Sequence, residues 1–364
     1  MFVGIYLMLT GFDPAHFLTR LEIPHKRSSK PVDLLNFVDW YRLNDYKYDK
    51  PFICHFSEIL PDNNDLVVKH PVALISAATY DQKIAQHKKI EDQTVVFYPE
   101  HLIMTYKSNV MLDKIRPIVI PDDKPFIADV LMGQPKLHRW MIVNRIIQHG
   151  LFDRCLVSLK QGPYVTLDDS KWMKRHFPKW GYPRDIISSN LDDYDEPEVT
   201  KIRMMDMFDT TIRIKTAVET VWASRILPTK IYDSCWLSIV AETDTNNGIF
   251  FPTEKTAKPL LDGRLFLAVS GKDYLKNLRK LGFETFHEFI DESYDSYDSQ
   301  IERTDKMINT LVDVSKENLK SLYQKIYPIL IHNQMLARSI QKMTLELVAF
   351  LQGLEVGIRV QLRP

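Results

Sequence analysis

Cysteine is scarce. Cys54, Cys155 and Cys235 are odd in number and far apart, so no disulfide framework is visible and no CxxC spacing marks a zinc site. Each stands in an apolar run, which reads as a small buried hydrophobe in a reducing cytosol. Charge of one sign is missing too. Lysine plus arginine (47) equals aspartate plus glutamate (47), which excludes coating of nucleic acid by bulk electrostatics but leaves a locally basic cleft open. No uninterrupted apolar stretch approaches the roughly 20 residues that cross a bilayer. The apolar start Met1–Thr10 has neither the basic flank nor the cleavage site of a secretion signal, and it reads as a first buried strand. Internal repeats are absent, and the one biased run is Asp-Glu-Ser-Tyr-Asp-Ser-Tyr-Asp at 291–298. A cytoplasmic protein without a membrane span is expected.

Hydrophobic residues at 45% and charged residues at 26% are globular values, and 364 residues make two domains the natural expectation. Short apolar runs recur in the first third: Phe2–Leu9, Leu66–Ser76, Thr94–Phe97 and Ile115–Ile120. They predict strands, with a helix over Ser76–Ile90 between two of them. Trp140, Ile142, Val143, Ile146 and Ile147 have helical spacing, Gly150 stands at the stop, and Leu156–Leu159 follows as a strand. Residues 188–198 are acidic and read as a loop. A β-α pattern then returns: strand Leu237–Ala241, helix Lys255–Asp262, strand Leu265–Val269 and helix Lys272–Leu281. From Ser299 onward the chain predicts long amphipathic helices. The alternation makes the chain an α/β protein.

The most informative stretch runs from Ala241 to Ser270. It leaves a strand end, crosses a polar loop and enters a helix at Thr253-Glu254-Lys255. Thr253 suits an N-cap, and a helix start with unpaired N–H groups favours an anion. Lys255 and Lys258 add cationic heads, and Glu254 can accept two ribose hydroxyls. The same triplet also serves ordinary capping on a solvated face.

Thr253-Glu254-Lys255, with the following helix and the strand Arg264-Leu-Phe-Leu, resembles the donor-binding signature of GT-B glycosyltransferases of the α1,3-fucosyltransferase type. Ser270-Gly271, Leu278–Phe286 and Ile290–Asp295 look like phage and giant-virus glycosyltransferase-like proteins. The resemblance spans about residues 130–310 and is densest over 242–295. It implies a GT-B-like fold of two Rossmann-like domains facing a cleft. These are an acceptor side over 1–125, a nucleotide-sugar domain over 126–300 and C-terminal helices over 301–364 packing on the body. Glu254 would then bind the donor's ribose, and Lys255 its phosphates, while Glu242 would either reach the sugar or base or be a solvated loop carboxylate. In Met132-Gly-Gln-Pro-Lys-Leu-His-Arg139, which resembles the family's segment opening the first donor-domain helix, Arg139 would clamp the diphosphate.

The implied activity is transfer of a hexosyl, pentosyl or deoxyhexosyl group from a nucleotide-sugar to an acceptor hydroxyl, inverting, with no metal and no further cofactor. The base would come from the N-terminal part, where Asp13 is the first choice, ahead of Glu58, His55 and His16. Asp193-Tyr194-Asp195 has the DxD form of metal-dependent transferases, but no apolar strand precedes it. His149 and His332 read as structural. The acceptor is a glycan, or a modified DNA base if the basic, tyrosine-bearing stretches at 24–30 and 41–50 line a groove. A non-catalytic scaffold presenting residues 299–352 is the remaining alternative.

Overall fold

The runs Cys235–Ala241 and Leu265–Val269 carry almost no polar residue, and strands of that kind are stable only with both faces covered. The computed structural model describes residues 5–6, 31–36, 52–56, 59, 71–87, 95–132, 136–159, 211–213, 220–340, 342–343, 346–347 and 357–359. Both runs lie in a four-stranded parallel sheet built from β1 (Phe126–Met132), β2 (Cys155–Leu159), β3 (Cys235–Ala241) and β4 (Leu265–Val269). The order across it is β4-β3-β1-β2. Ser238 lies opposite Asp129, and Ala241 opposite Val269. Helix α1 (Leu137–Gln148) joins β1 to β2, α2 (Thr229–Ser234) leads into β3, and α3 (Glu254–Asp262) joins β3 to β4. The chain thus winds one way from β1 and the other way from β3. Between their carboxyl ends lies a topological switch point, where open α/β sheets take their ligands.

Helices α4 (Tyr274–Lys280), α5 (Gln300–Val314) and α6 (Leu319–Ser339) follow. Arg145 on α1 meets Asp305 on α5 at 2.6 Å, and Tyr323 on α6 donates to the Trp236 carbonyl of β3. α3 ends where Gly263 adopts φ 67°, and a Cβ there would stand 2.0 Å from Ile118 Cδ1, so glycine is required.

The chain divides into two compact units, and this sheet belongs to Met104–Asn247 with Pro252–Arg338. The other unit comprises Met1–Ile103, Gly248–Phe251 and Ser339–Pro364. It holds a second parallel sheet, ordered Ile5–Tyr6, Pro31–Asn36, Phe52–Phe56, Pro71–Ser76 and Val95–Phe97, with Gly357–Arg359 also beside Pro31–Asn36. Ala77, Ala78, Ile249 and Phe251 form a buried cluster within it. The protein is therefore mixed α/β with parallel sheets. No helix among the described residues is long and apolar enough to cross a membrane.

Several expectations are corrected. The helix expected over Ser76–Ile90 starts only at Gln82 and is described as far as His87, with residues 88–90 outside the described residues. The Ser76 hydroxyl accepts from Ala78 N at 3.2 Å and turns the chain out of its strand, and the Asp81 carboxylate accepts from Ile84 N at 2.8 Å to start the helix late. Ile115–Ile120 is not a strand. Pro117 inside it and Pro121 after it remove ladder donors. Conversely, β1 escaped the periodicity because Asp129 interrupts its apolar run. Cys155 and Cys235 are buried free thiols, as expected, and burial pushes Cys155 up to about 12.

Asp129 is buried mid-strand because Arg264 meets it at 3.0 Å, with Ser238 Oγ donating to it at 2.9 Å. Arg264 also donates to the Cys235 carbonyl at 2.9 Å, and its guanidinium lies 3.9 Å over the Tyr232 ring. Burial pushes the Asp129 carboxyl up while Arg264 pulls it back. Removing one partner of such a pair leaves the other charge buried alone. Asp129→Asn should therefore lower unfolding free energy by about 3 kcal/mol or more in urea titrations. A loss under about 0.5 kcal/mol would mean that the pair does not organise the sheet.

Candidate functional site

Three consecutive carbonyls, the last of β3 and the two after it, receive Lys136, the N-cap of α1, and His138 and Arg139 from its first turn. Arg139 Nη2 donates to Ala241 O at 3.4 Å, His138 Nε2 is 2.9 Å from Glu242 O, and Lys136 Nζ donates to Thr243 O at 2.5 Å. The switch point is stitched across by these bonds. Because a carbonyl only accepts, His138 carries its proton on Nε2. Burial, then the neighbouring Arg139 charge, holds His138 down to about 3, so the ring is neutral across the physiological range. Arg139 is itself only 3% exposed. Burial lowers its pKa, and the Glu242 and Glu254 charges work against that loss.

Glu242 is fully buried at 0% exposure directly after β3. Its Oε1 accepts from Thr253 N at 3.0 Å, Thr256 Oγ1 at 2.6 Å and Tyr274 OH at 3.0 Å. Its Oε2 accepts from Thr253 Oγ1 at 2.5 Å and Thr243 N at 3.2 Å. Thr256 Oγ1 and Tyr274 OH are also 2.7 Å apart. A buried carboxylate needs such a set of donors to offset its lost hydration.

Thr253 is the N-cap of α3, as its sequence position predicts, and it accepts from Lys255 N. The Lys255 head is 3.1 Å from Thr243 Oγ1, 3.4 Å from Thr253 Oγ1 and 2.7 Å from Glu254 Oε1. The Lys255 and Glu254 side chains keep 18% and 15% exposure, so both ends of this pair reach solvent. Pro259 stands within α3 without ending it. From behind, Arg303 on α5 fixes the loop that carries Glu242 to α3. It donates to Thr245 O at 2.9 Å, Asn247 Oδ1 at 2.8 Å and Ser270 O at 3.1 Å.

Arg139, Glu242, Glu254 and Lys255 are thus brought together at the carboxyl ends of β1 and β3. Lys258 is one turn further along α3, and its charge acts on Asp129. Asp13, Glu58, Asp193 and Asp195 lie outside the described residues. His55 falls in the strand Phe52–Phe56. His332 Nε2 is 2.8 Å from Gly282 O, and His149 caps the end of α1. Sequence reasoning missed Lys136, His138, Thr256, Tyr274 and Arg303. For Lys136 and His138 the signal was available, since they sit with Arg139 in Lys-Leu-His-Arg at a helix start. Among the described residues, no group of three or more His, Cys, Asp or Glu could hold a metal ion.

No family model matches the chain, and no curated protein matches it. Among solved structures it is similar to AviGT4, a glycosyltransferase involved in avilamycin A biosynthesis. That match has 11% identity and a TM-score of 0.29, covering 92% of this chain and 88% of that one.

His138 titrates near 6.5 when unfolded and near 3 when folded. Between those values the unfolded chain binds the extra proton, so His138 costs stability as pH falls through that window. His138→Gln keeps a side-chain donor for the Glu242 carbonyl and removes the titration. Its unfolding free energy should fall less steeply than the parent's between about pH 6.5 and 3, by up to about 1.4 kcal/mol per pH unit. Parallel acid limbs in the two proteins would contradict the neutral buried imidazole.

Proposed function

We propose that this protein is a glycosyltransferase that binds the diphosphate of a nucleotide-sugar donor at the switch point between β1 and β3. The observation that carries the reading is the convergence there of Lys136, Arg139 and Lys255 with the N-termini of α1 and α3. A leaving nucleoside diphosphate needs cationic groups and oriented N–H dipoles, and both are aimed at one place. Lys255 supplies a partly exposed cation, and Arg139 adds a buried one. Glu254 offers carboxylate oxygens for two ribose hydroxyls. The likeness of Thr253-Glu254-Lys255 to the α1,3-fucosyltransferase-type signature points the same way.

In an inverting transfer, the acceptor oxygen bonds to the anomeric carbon as the bond from that carbon to the diphosphate oxygen breaks. The electron pair leaves with the diphosphate, and the acceptor proton goes to a base. Asp13 and Glu58 are the candidates for that base. A GT-B enzyme of two α/β units, acting in the cytoplasm without a metal, completes the reading, with a glycan or a modified DNA base as acceptor.

Binding of nucleoside diphosphates and slow hydrolysis of their sugars test it. Lys255→Ala and Arg139→Met should each weaken diphosphate binding about tenfold or more by calorimetry, at near-parental stability for the former. Parental affinity in both variants would remove the donor-site assignment. A chain that neither binds nor hydrolyses any member of a nucleotide-sugar panel would favour the scaffold alternative.

A further inference from the structure

We infer that Glu242 is a positioning residue for the donor phosphates, acting through the Thr253 hydroxyl on the head of Lys255. The inference rests on the donor-site reading above and goes beyond it. It assigns the strand-end carboxylate to aiming the phosphate ligand, not to touching the donor.

The direction of each hydrogen bond makes the case. Glu242 Oε2 accepts from the Thr253 hydroxyl at 2.5 Å, so that hydroxyl spends its only proton there. The lone pairs of Thr253 Oγ1 are then turned toward donors, and the two that meet them belong to Lys255. They are its backbone N–H and its Nζ, each at 3.4 Å. A hydroxyl free to rotate could donate toward the lysine's surroundings and leave both unmet. Glu242 removes that freedom. Its other bonds, from Thr253 N and Thr256 Oγ1, hold the first turn of α3 against the strand end, so the helix N-terminus and the lysine are aimed as one body. Tyr274 closes the network from α4, and Thr243 links its two sides, its N–H donating to Glu242 and its hydroxyl oxygen accepting from Lys255 Nζ. Full burial leaves the Glu242 carboxylate no solvent-facing edge, and its five donors all come from this chain.

Thr253→Val removes the relay hydroxyl and keeps the side-chain volume, and Thr253→Ser keeps the hydroxyl. The probes are GDP, UDP and ADP, of which the tightest for the parent is carried through, and the matching nucleoside. Thr253→Val should weaken the diphosphate about fivefold or more and leave the nucleoside within about twofold. In the Lys255→Ala background the same change should cost less than about twofold, because the relay then has nothing to aim. Thr253→Ser should recover the affinity lost in Thr253→Val to within about threefold of the parent. Glu242→Gln, where it folds, should repeat the Thr253→Val pattern, since the amide cannot accept at both positions. Parental diphosphate affinity in Thr253→Val alongside a weakened Lys255→Ala would overturn this inference alone, as would losses that simply multiply or an equal loss for the nucleoside. A parent that binds none of the diphosphates would remove the donor-site reading, and this inference with it.

Discussion

A carboxylate taken wholly out of water is tolerated only when the protein returns most of its lost hydrogen bonds, and around Glu242 that requirement organises the site. Five donors from Thr243, Thr253, Thr256 and Tyr274 have to converge on two oxygens. Those donors come from the end of β3, the start of α3 and the start of α4. Satisfying one side chain therefore fixes three elements against the carboxyl edge of the sheet. The three carbonyls beside it, of Ala241, Glu242 and Thr243, do the same for the start of α1.

The sheet separates its buried charges by task. In β1, the Asp129–Arg264 pair is internal and braced by Ser238 and the Tyr232 ring, and it holds strands together. At the carboxyl ends, three cations, Lys136, Arg139 and Lys255, gather beside two carboxylates, Glu242 and Glu254. Glu242 takes its hydrogen bonds from neutral donors and acts on Arg139 through its charge, whereas Glu254 pairs directly with Lys255. That gathering of cations, next to two helix N-termini, underlies the proposal of a diphosphate ligand. His138 fits the same logic, because a neutral ring adds no further cation to a crowded place.

Much of the unit that holds β1 to β4 was legible in the sequence, for reasons that particular residues make plain. β4 and the end of β3 are unbroken apolar runs, and Thr253 and Gly263 bracket α3 with the cap chemistry that helices use at each end. β1 was hidden by Asp129, whose burial depends on Arg264, 135 positions along the chain (264 − 129). Local pattern carries no trace of such a partner. The helix expected over Ser76–Ile90 failed because two short side chains, Ser76 and Asp81, bond to nearby backbone and redirect it. Within the site, Lys255 and Arg139 were legible as cations at helix starts. The burial of Glu242 was not, since whether a strand-end carboxylate faces solvent or core depends on donors such as Thr256 and Tyr274 that come from other elements. Arg303, which reaches back from α5 to the loop after Glu242, has the same non-local origin.

The central claim is that the carboxyl ends of β1 and β3 are a diphosphate site. A crystal structure of the full chain grown with a nucleoside diphosphate tests it most directly. The account predicts phosphate oxygens within about 3 Å of Lys255 Nζ and of backbone N–H groups at the start of α3, with Glu242 still bonded to Thr253 and making no contact with the nucleotide. A nucleotide bound away from that edge, or one whose phosphates displace Glu242 from Thr253, would contradict it.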